Sequence, residues 1–121
     1  MSNIEHAHPA LADALAKKGY EKLTQVQNSV LDPELLGQDL LVSAQTGSGK
    51  TVAFGLAMAS TLLGDAPAFV RADAPLAICI APTRELAMQV KREIDWLYKE
   101  AGAKALGCVG GMDARQERAA L

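Results

Sequence analysis

The residues best suited to chemistry are Ala44-Gln45-Thr46-Gly47-Ser48-Gly49-Lys50-Thr51. Gly47 and Gly49 permit backbone angles that turn successive N–H groups inward toward an anion. Thr46 and Ser48 lie in the same cradle. A helix opening at the end of this loop would add its partial positive charge. Lys50 can then reach outer phosphates, and the Thr51 hydroxyl is placed to ligate Mg²⁺. The common pattern has Gly where this chain has Ala44, which narrows the choice among phosphate-loop families. The plain alternative is a glycine-rich turn that happens to contain a lysine.

A phosphate loop needs a strand before it and a helix after it. The run Asp39-Leu40-Leu41-Val42-Ser43 reads as a buried strand. The stretch Thr51 to Leu63 is apolar nearly all round, so it reads as a helix packed on more than one side. Gly64 to Pro75 reads as a loop. Leu76 to Ala81 is an apolar run flanked by prolines, a second buried strand. Thr83 can cap a long helix to about Ala101, with Gly102 as its stop and Leu86, Val90, Ile94 and Leu97 as its apolar stripe. Arg92, Glu93, Asp95 and Lys99 should face away from that stripe. Ala105 to Val109 reads as a third strand, and Asp113 can cap a last helix. This alternation predicts an α/β fold with a parallel sheet and crossover helices.

Upstream, Met1 to His8 reads as a loose tail in which His6 and His8 have no ligand role. Pro9 opens a helix with Leu11, Ala12 and Leu15 at helical spacing and Gly19 as its stop. A second helix begins at Thr24 and includes Val26, Val30 and Leu31. Asp32-Pro33 ends or bends it, and Pro33 opens a short turn ahead of Gly37.

Three further segments accompany the phosphate loop. These are Pro82-Thr83-Arg84-Glu85-Leu86-Ala87, Gly19-Tyr20-Glu21-Lys22-Leu23-Thr24-Gln25-Val26-Gln27, and Gly110-Gly111. In this order and spacing they resemble the N-terminal half of the first RecA-like domain of DEAD-box RNA helicases. The resemblance runs from about Pro9 to the end. It implies a three-layer RecA-like P-loop NTPase fold, here truncated, behind a tail at 1–8. It implies binding of ATP or ADP with Mg²⁺, the phosphates and metal held by Thr46, Gly47, Ser48, Gly49, Lys50 and Thr51. Of these, Lys50 and Thr51 are the residues expected to serve catalysis. The upstream segment resembles the family's adenine-recognition motif and implies that Tyr20, Lys22 and Gln27 meet the base. Tyr20 stands for the usual Phe and Leu23 for the usual Pro. A Gln amide offers one donor and one acceptor, which suits adenine N7 and N6 and so selects ATP over GTP. Thr24-x-x-Gln27 is equally a helix capping box. The family's stacking aromatic, seventeen residues before that Gln, is Ala10 here. Another aromatic such as Tyr20 could take over, or Tyr20 could be a core anchor. For RNA, the resemblance implies contacts at Pro82, Thr83 and Arg84 and a close backbone approach at Gly110 and Gly111. Arg115 could add a phosphate contact.

The sequence contains no Asp-Glu-Ala-Asp. The family uses those carboxylates to hold Mg²⁺ and to position the attacking water. The later Ser-Ala-Thr segment and the second RecA-like domain with its arginine fingers are absent from these residues too. The parent protein is therefore expected to remodel RNA with ATP, while this stretch alone binds nucleotide without turnover. Strands from the remainder would complete the sheet, and without them the expected strands present bare apolar faces that invite self-association.

Bulk properties set limits on this reading. The 121 residues are half apolar and one-fifth charged, with a net charge of -2, the composition of a globular chain. Residues 82–121 carry 7 basic and 6 acidic side chains against 5 and 8 before them. With aromatics at 4%, strong RNA binding by this piece is not expected. Cys79 and Cys108 read as reduced core residues without metal spacing. No signal peptide or membrane span is visible, so the cytoplasm is the expected location. Two other readings are an independent small-molecule phosphate-loop kinase, which would need its own acidic Mg²⁺ strand and lid, and a non-catalytic RNA-binding or interaction module.

Overall fold

The computed structural model describes residues 3–70 and 74–108. Helix α1 spans Pro9–Lys18, α2 Gln25–Ser29, α3 Lys50–Ala57, α4 Ala59–Leu63 and α5 Arg84–Leu97, with single 3-10 turns at Asn3–His6 and Pro33–Leu35. The caps read from sequence at Gly19 and Thr83 hold, whereas Gly102 does not end α5, whose C-cap is Tyr98. Gly19 ends α1 in the left-handed region at φ 98°, and the Thr83 hydroxyl accepts from the Leu86 N–H at 3.2 Å to open α5.

The core is built by helices. Leu11 and Leu15 of α1, Val52 and Leu56 of α3, Ala59 and Leu63 of α4, and Leu97 and Tyr98 at the end of α5 form one buried cluster. Helix α3 lies directly on α5 because Gly55 has no side chain. A Cβ there would stand 2.7 Å from Leu97 Cδ2 and 3.3 Å from Ile94 Cδ1. The close approach lets the Tyr98 hydroxyl donate to the Gly55 carbonyl at 2.6 Å in a buried hydrogen bond.

Several expectations are corrected. Residues 1–8, expected as a loose tail, contain the Asn3–His6 turn, and Ile4 and Ala7 are buried with the core. The reason is apolar burial close to α1. His8 also has a structural use. Its Nδ1 accepts from the Ala10 N–H at 3.1 Å, which leaves Nε2 to donate to the Gly64 carbonyl at 2.7 Å. The helix expected over 51–63 is interrupted at Met58, and the one expected to reach Ala101 ends at Leu97. Glu93 and Asp95 do not simply face solvent. Glu93 accepts from Trp96 Nε1 at 2.8 Å, and Asp95 accepts from Lys91 at 2.8 Å and from the Ala105 N–H at 3.3 Å.

The largest correction concerns the sheet. Among the described residues there is no β-strand. The segments 39–43, 76–81 and 105–108 run without a ladder, so the described residues form no parallel sheet. A strand exists only by pairing its N–H and C=O groups with a neighbour, and none of these segments pairs with another. With no sheet to bury their two faces, the apolar side chains stand in solvent. Leu41 is 100% exposed, Ile78 82% and Ile80 92%. Cys79 and Cys108 are exposed for the same reason, not buried as expected. Val109 and the expected helix after Asp113 lie outside the described residues.

Two measurements check this packing. Gly55→Ala is expected to cost about 1–3 kcal/mol in urea unfolding, since Leu97 has no free volume into which to turn. Wild-type stability in that variant would show that α5 can yield. Burial pushes the Tyr98 phenol above its ordinary value of 10.0. The folded state therefore holds that proton more tightly than the unfolded one, and stability falls as pH rises past 10.0. Tyr98→Phe is expected to make that alkaline fall shallower.

A candidate phosphate loop braced by a buried glutamine

The loop at 44–51 ends at the start of α3. Gly47 and Gly49 adopt φ of 83° and 86°, backbone angles that side chains resist. Gly49 is the residue that opens α3, so the first amides of that helix are free for an external acceptor. The Ser48 N–H donates to the Gln45 carbonyl at 3.1 Å, closing the turn. Lys50 Nζ donates to the Ala44 carbonyl at 2.8 Å and so spans the loop from its far end. Thr46 and Lys50 are exposed, while Ser48, Gly49 and Thr51 are half-buried.

Helix α2 fixes the loop from the side. The Thr24 hydroxyl accepts from the Gln27 N–H at 3.4 Å and the Gln27 Oε1 accepts from the Thr24 N–H at 3.0 Å, a reciprocal capping box. Both side chains then reach across. The Thr24 hydroxyl donates to the Ser48 carbonyl at 2.8 Å, and Gln27 Nε2 donates to the Gly49 carbonyl at 3.2 Å. Gln27 is 1% exposed, so its amide is satisfied internally at both ends. The fit at Gly49 is close, because a Cβ there would collide with Gln27 Nε2.

The consequence for anion binding follows from peptide geometry. In a trans peptide the carbonyl of one residue and the N–H of the next point to opposite sides, and the described backbone has no cis bond. Holding the Ser48 and Gly49 carbonyls on the α2 side turns the Gly49 and Lys50 N–H groups to the other. Ser48 Oγ is buried without a hydrogen-bond partner among the described residues. An orphaned hydroxyl, two directed amides, an ammonium and the Thr51 hydroxyl are donors and oxygens that suit a phosphate and a hard cation. No cluster of three or more His, Cys, Asp or Glu able to hold a metal occurs among the described residues.

The remaining expected site residues are placed as follows. Tyr20 is half-buried, its ring centroid 5.7 Å from that of Trp96, which in turn lies under Lys18 Nζ at 5.4 Å. Burial pushes the Tyr20 phenol up, with a hydrogen bond of the Gln27 side chain pulling the other way. Tyr20 is thus packed into the edge of the core and placed beside Gln27. Lys22 is exposed, one residue before buried Leu23. Ala10 is buried in the α1 face of the core, a position with no open face for stacking. Pro82, Thr83 and Arg84 are exposed at the start of α5, where Thr83 spends its hydroxyl oxygen on the cap. Gly110, Gly111 and Arg115 lie outside the described residues. Two features were missed at the level of sequence: the Thr24 bond to Ser48 and the Tyr98 bond to Gly55. A glycine inside an apolar helix was the available signal for the second, because it implies close packing.

The brace is open to a direct check. Gln27→Leu removes the amide and leaves the Thr24 N–H without its acceptor, while the Gly49 carbonyl keeps only the Ala53 N–H, a loss of about 1–3 kcal/mol in thermal or urea unfolding. Gly49→Ala is expected to displace the same amide and add left-handed backbone strain of about 1–2 kcal/mol. Unchanged stability in both would show that the loop does not depend on α2.

The chain is similar to known proteins over most of its length. The sequence profile of the DEAD/DEAH box helicase family matches residues 24–121. The chain is 40% identical over 104 residues to the ATP-dependent RNA helicase RhlB of Haemophilus influenzae, covering 86% of this chain and 25% of that protein. It is 39% identical over 114 residues to DEAD-box ATP-dependent RNA helicase 53 of Oryza sativa subsp. japonica, covering 93% and 18%. A crystal structure of the RNA helicase Prp28 from Chaetomium thermophilum bound to ADP superposes with a TM-score of 0.75 at 31% identity, covering 90% of this chain and 26% of that one. The chain therefore spans about a quarter or less of the length of these relatives. No helix among the described residues is long and apolar enough to cross a membrane. With a braced phosphate loop at the start of α3 and a family match over four-fifths of its length, the chain belongs to the DEAD/DEAH box helicases.

Proposed function

We propose that these residues form the nucleotide-holding part of an ATP-dependent RNA helicase, which in its whole length binds and hydrolyses ATP to remodel RNA duplexes. The observation that carries this reading is the loop whose carbonyls are tied to Thr24 and Gln27, leaving the Gly49 and Lys50 amides for phosphate oxygens. Lys50, released from the Ala44 carbonyl, moves onto the outer phosphates, with Thr46, Gly47 and Ser48 closing the cradle. Thr51 would hold Mg²⁺ through its hydroxyl, and the ion would neutralise charge on the phosphate oxygens. Adenine lies beside Gln27, Tyr20 and Lys22, and the buried Gln27 amide, bonded to Thr24, Gly49 and Tyr20, meets the base by giving up one of these partners.

RNA phosphates meet the start of α5 at Pro82, Thr83 and Arg84, and the backbone at Gly110 and Gly111. In the complete RecA-like fold the segments 39–43, 76–81 and 105–109 are parallel strands of one sheet, which strands from the remainder complete beside the segment 39–43. Standing alone, these 121 residues carry no Asp-Glu-Ala-Asp carboxylates, so they bind nucleotide without turnover. Their bare segments associate with one another in the absence of the cover, which agrees with the exposure of Leu41, Ile78 and Ile80. The proposed location is the cytoplasm.

Calorimetric titration tests the reading. ADP with Mg²⁺ is expected to bind and GDP not to, and Lys50→Ala is expected to abolish the ADP signal while the melting temperature stays within a few degrees. Equal binding of GDP would remove the assigned role of Gln27. Turnover of ATP by this chain with a small acceptor would point to a kinase instead.

A further inference from the structure

We infer that Tyr20 is a positioning residue for the base side: its hydroxyl holds the Gln27 amide in the place that a base must take, and its ring is pinned on Trp96 while it does so. The inference rests on the loop binding a nucleotide, as proposed above, and adds what the base has to displace.

The first observation is that Gln27 has no open side. It is 1% exposed, so an external group reaches its amide only by taking the place of a present partner. Oε1 accepts from the Thr24 N–H at 3.0 Å, and Nε2 donates to the Gly49 carbonyl at 3.2 Å. The Tyr20 hydroxyl is bonded to the same side chain. An amide nitrogen carries two hydrogens. One goes to Gly49, and the other suits the phenol oxygen, in keeping with the downward pull of this bond on the Tyr20 phenol. A ring acceptor such as adenine N7 would need that second hydrogen. The phenol and the base therefore compete for one donor.

The second observation is that the three partners are unequal. Release of the Thr24 N–H opens the capping box of α2. Release of the Gly49 carbonyl removes the brace of the phosphate loop. Tyr20 is only half-buried, so its hydroxyl finds water when it leaves, whereas a buried group left unpaired bears its full desolvation cost. The Tyr20 hydroxyl is the partner that gives way.

The third observation is that the rest of Tyr20 is held. Its N–H donates to the Leu15 carbonyl at 3.0 Å, behind the left-handed turn at Gly19. Its ring lies 5.7 Å from that of Trp96 at a tilt of 33°. Trp96 is fixed in turn, with Nε1 donating to Glu93 at 2.8 Å and Lys18 Nζ 5.4 Å from its ring centroid. Displacing the hydroxyl thus turns the Tyr20 ring against Trp96 and leaves its backbone in place. The resemblance noted above puts Phe at this position. Phe has no hydroxyl, so the competition belongs to the tyrosine of this chain.

Calorimetric titration of the 121-residue chain with Mg²⁺ tests this, using ADP and, as a probe without a base, inorganic pyrophosphate. Tyr20→Phe keeps the ring and its seat on Trp96. It is expected to bind ADP about threefold or more tightly than the wild type, the worth of one released hydrogen bond, and pyrophosphate equally well. Trp96 is the single tryptophan of the sequence, so its emission gives a second measurement on the unaltered chain. ADP is expected to change that emission and pyrophosphate to leave it as it was. ADP affinity that is unchanged or lowered in Tyr20→Phe overturns the inference and leaves the nucleotide reading intact. A rise shared by ADP and pyrophosphate overturns it too, since the effect would then lie in the loop. So does ADP binding in the wild type with no change in Trp96 emission. Failure of the wild type to bind either probe removes the nucleotide reading, and this inference with it.

Discussion

Two hydrogen bonds from one short helix decide which way the phosphate loop faces. The Thr24 hydroxyl and the Gln27 amide hold the Ser48 and Gly49 carbonyls, and the trans peptide then sends the next two N–H groups to the opposite side. The amide that does this is almost fully buried. A buried amide left unpaired costs more than the bond it would make, so the capping box and the loop are mutually dependent. Thr24 and Gln27 cap α2 in the same geometry that lets them reach the loop, and Gly49 must be glycine so that they can. A helix of five residues has little stability of its own. Its bonds to the loop and the burial of Gln27, Leu23 and Val30 supply what its length does not.

The second constraint is the seat of α3 on α5. Both helices begin at segments with exposed donors, the phosphate loop in one case and Thr83–Arg84 in the other. They meet near their far ends, where Gly55, Leu97, Ile94 and Tyr98 exclude water. Close packing transmits displacement because there is no void to absorb it. The Tyr98 hydroxyl adds direction to an otherwise non-directional contact. The aromatic run from Trp96 to Tyr20 extends the same surface toward Gln27. Tyr20, the α2–loop brace and α5 therefore adjoin one continuous core.

The bare segments at 39–43 and 76–81 are the counterpart of this helical core. Their sequences are apolar on both faces, a pattern that fits only a strand covered on two sides. Burial of side chains such as Ile78 and Ile80 yields about 1.5–3 kcal/mol each, and none of that is realised while they remain in water. The helices hold their places regardless, because the α1, α3, α4 and α5 contacts do not pass through the sheet.

By itself the sequence determined the local signals: caps at Thr24 and Thr83, the stop at Gly19, the turn at Pro33, the glycine angles of the phosphate loop and the family to which the motif order belongs. Each depends on residues within a few positions of one another, where backbone preference and short-range hydrogen bonding dominate. It did not decide which of two uses Gln27 makes of its amide, where the helix beyond Lys50 would break, or whether the apolar runs would pair. Those outcomes depend on partners 22 to 43 positions away, such as Gly49 for Gln27 and Tyr98 for Gly55. Periodicity predicted a strand wherever an apolar run was long enough, but a strand needs a neighbour with free N–H and C=O groups at the right distance, and only the tertiary arrangement can provide one.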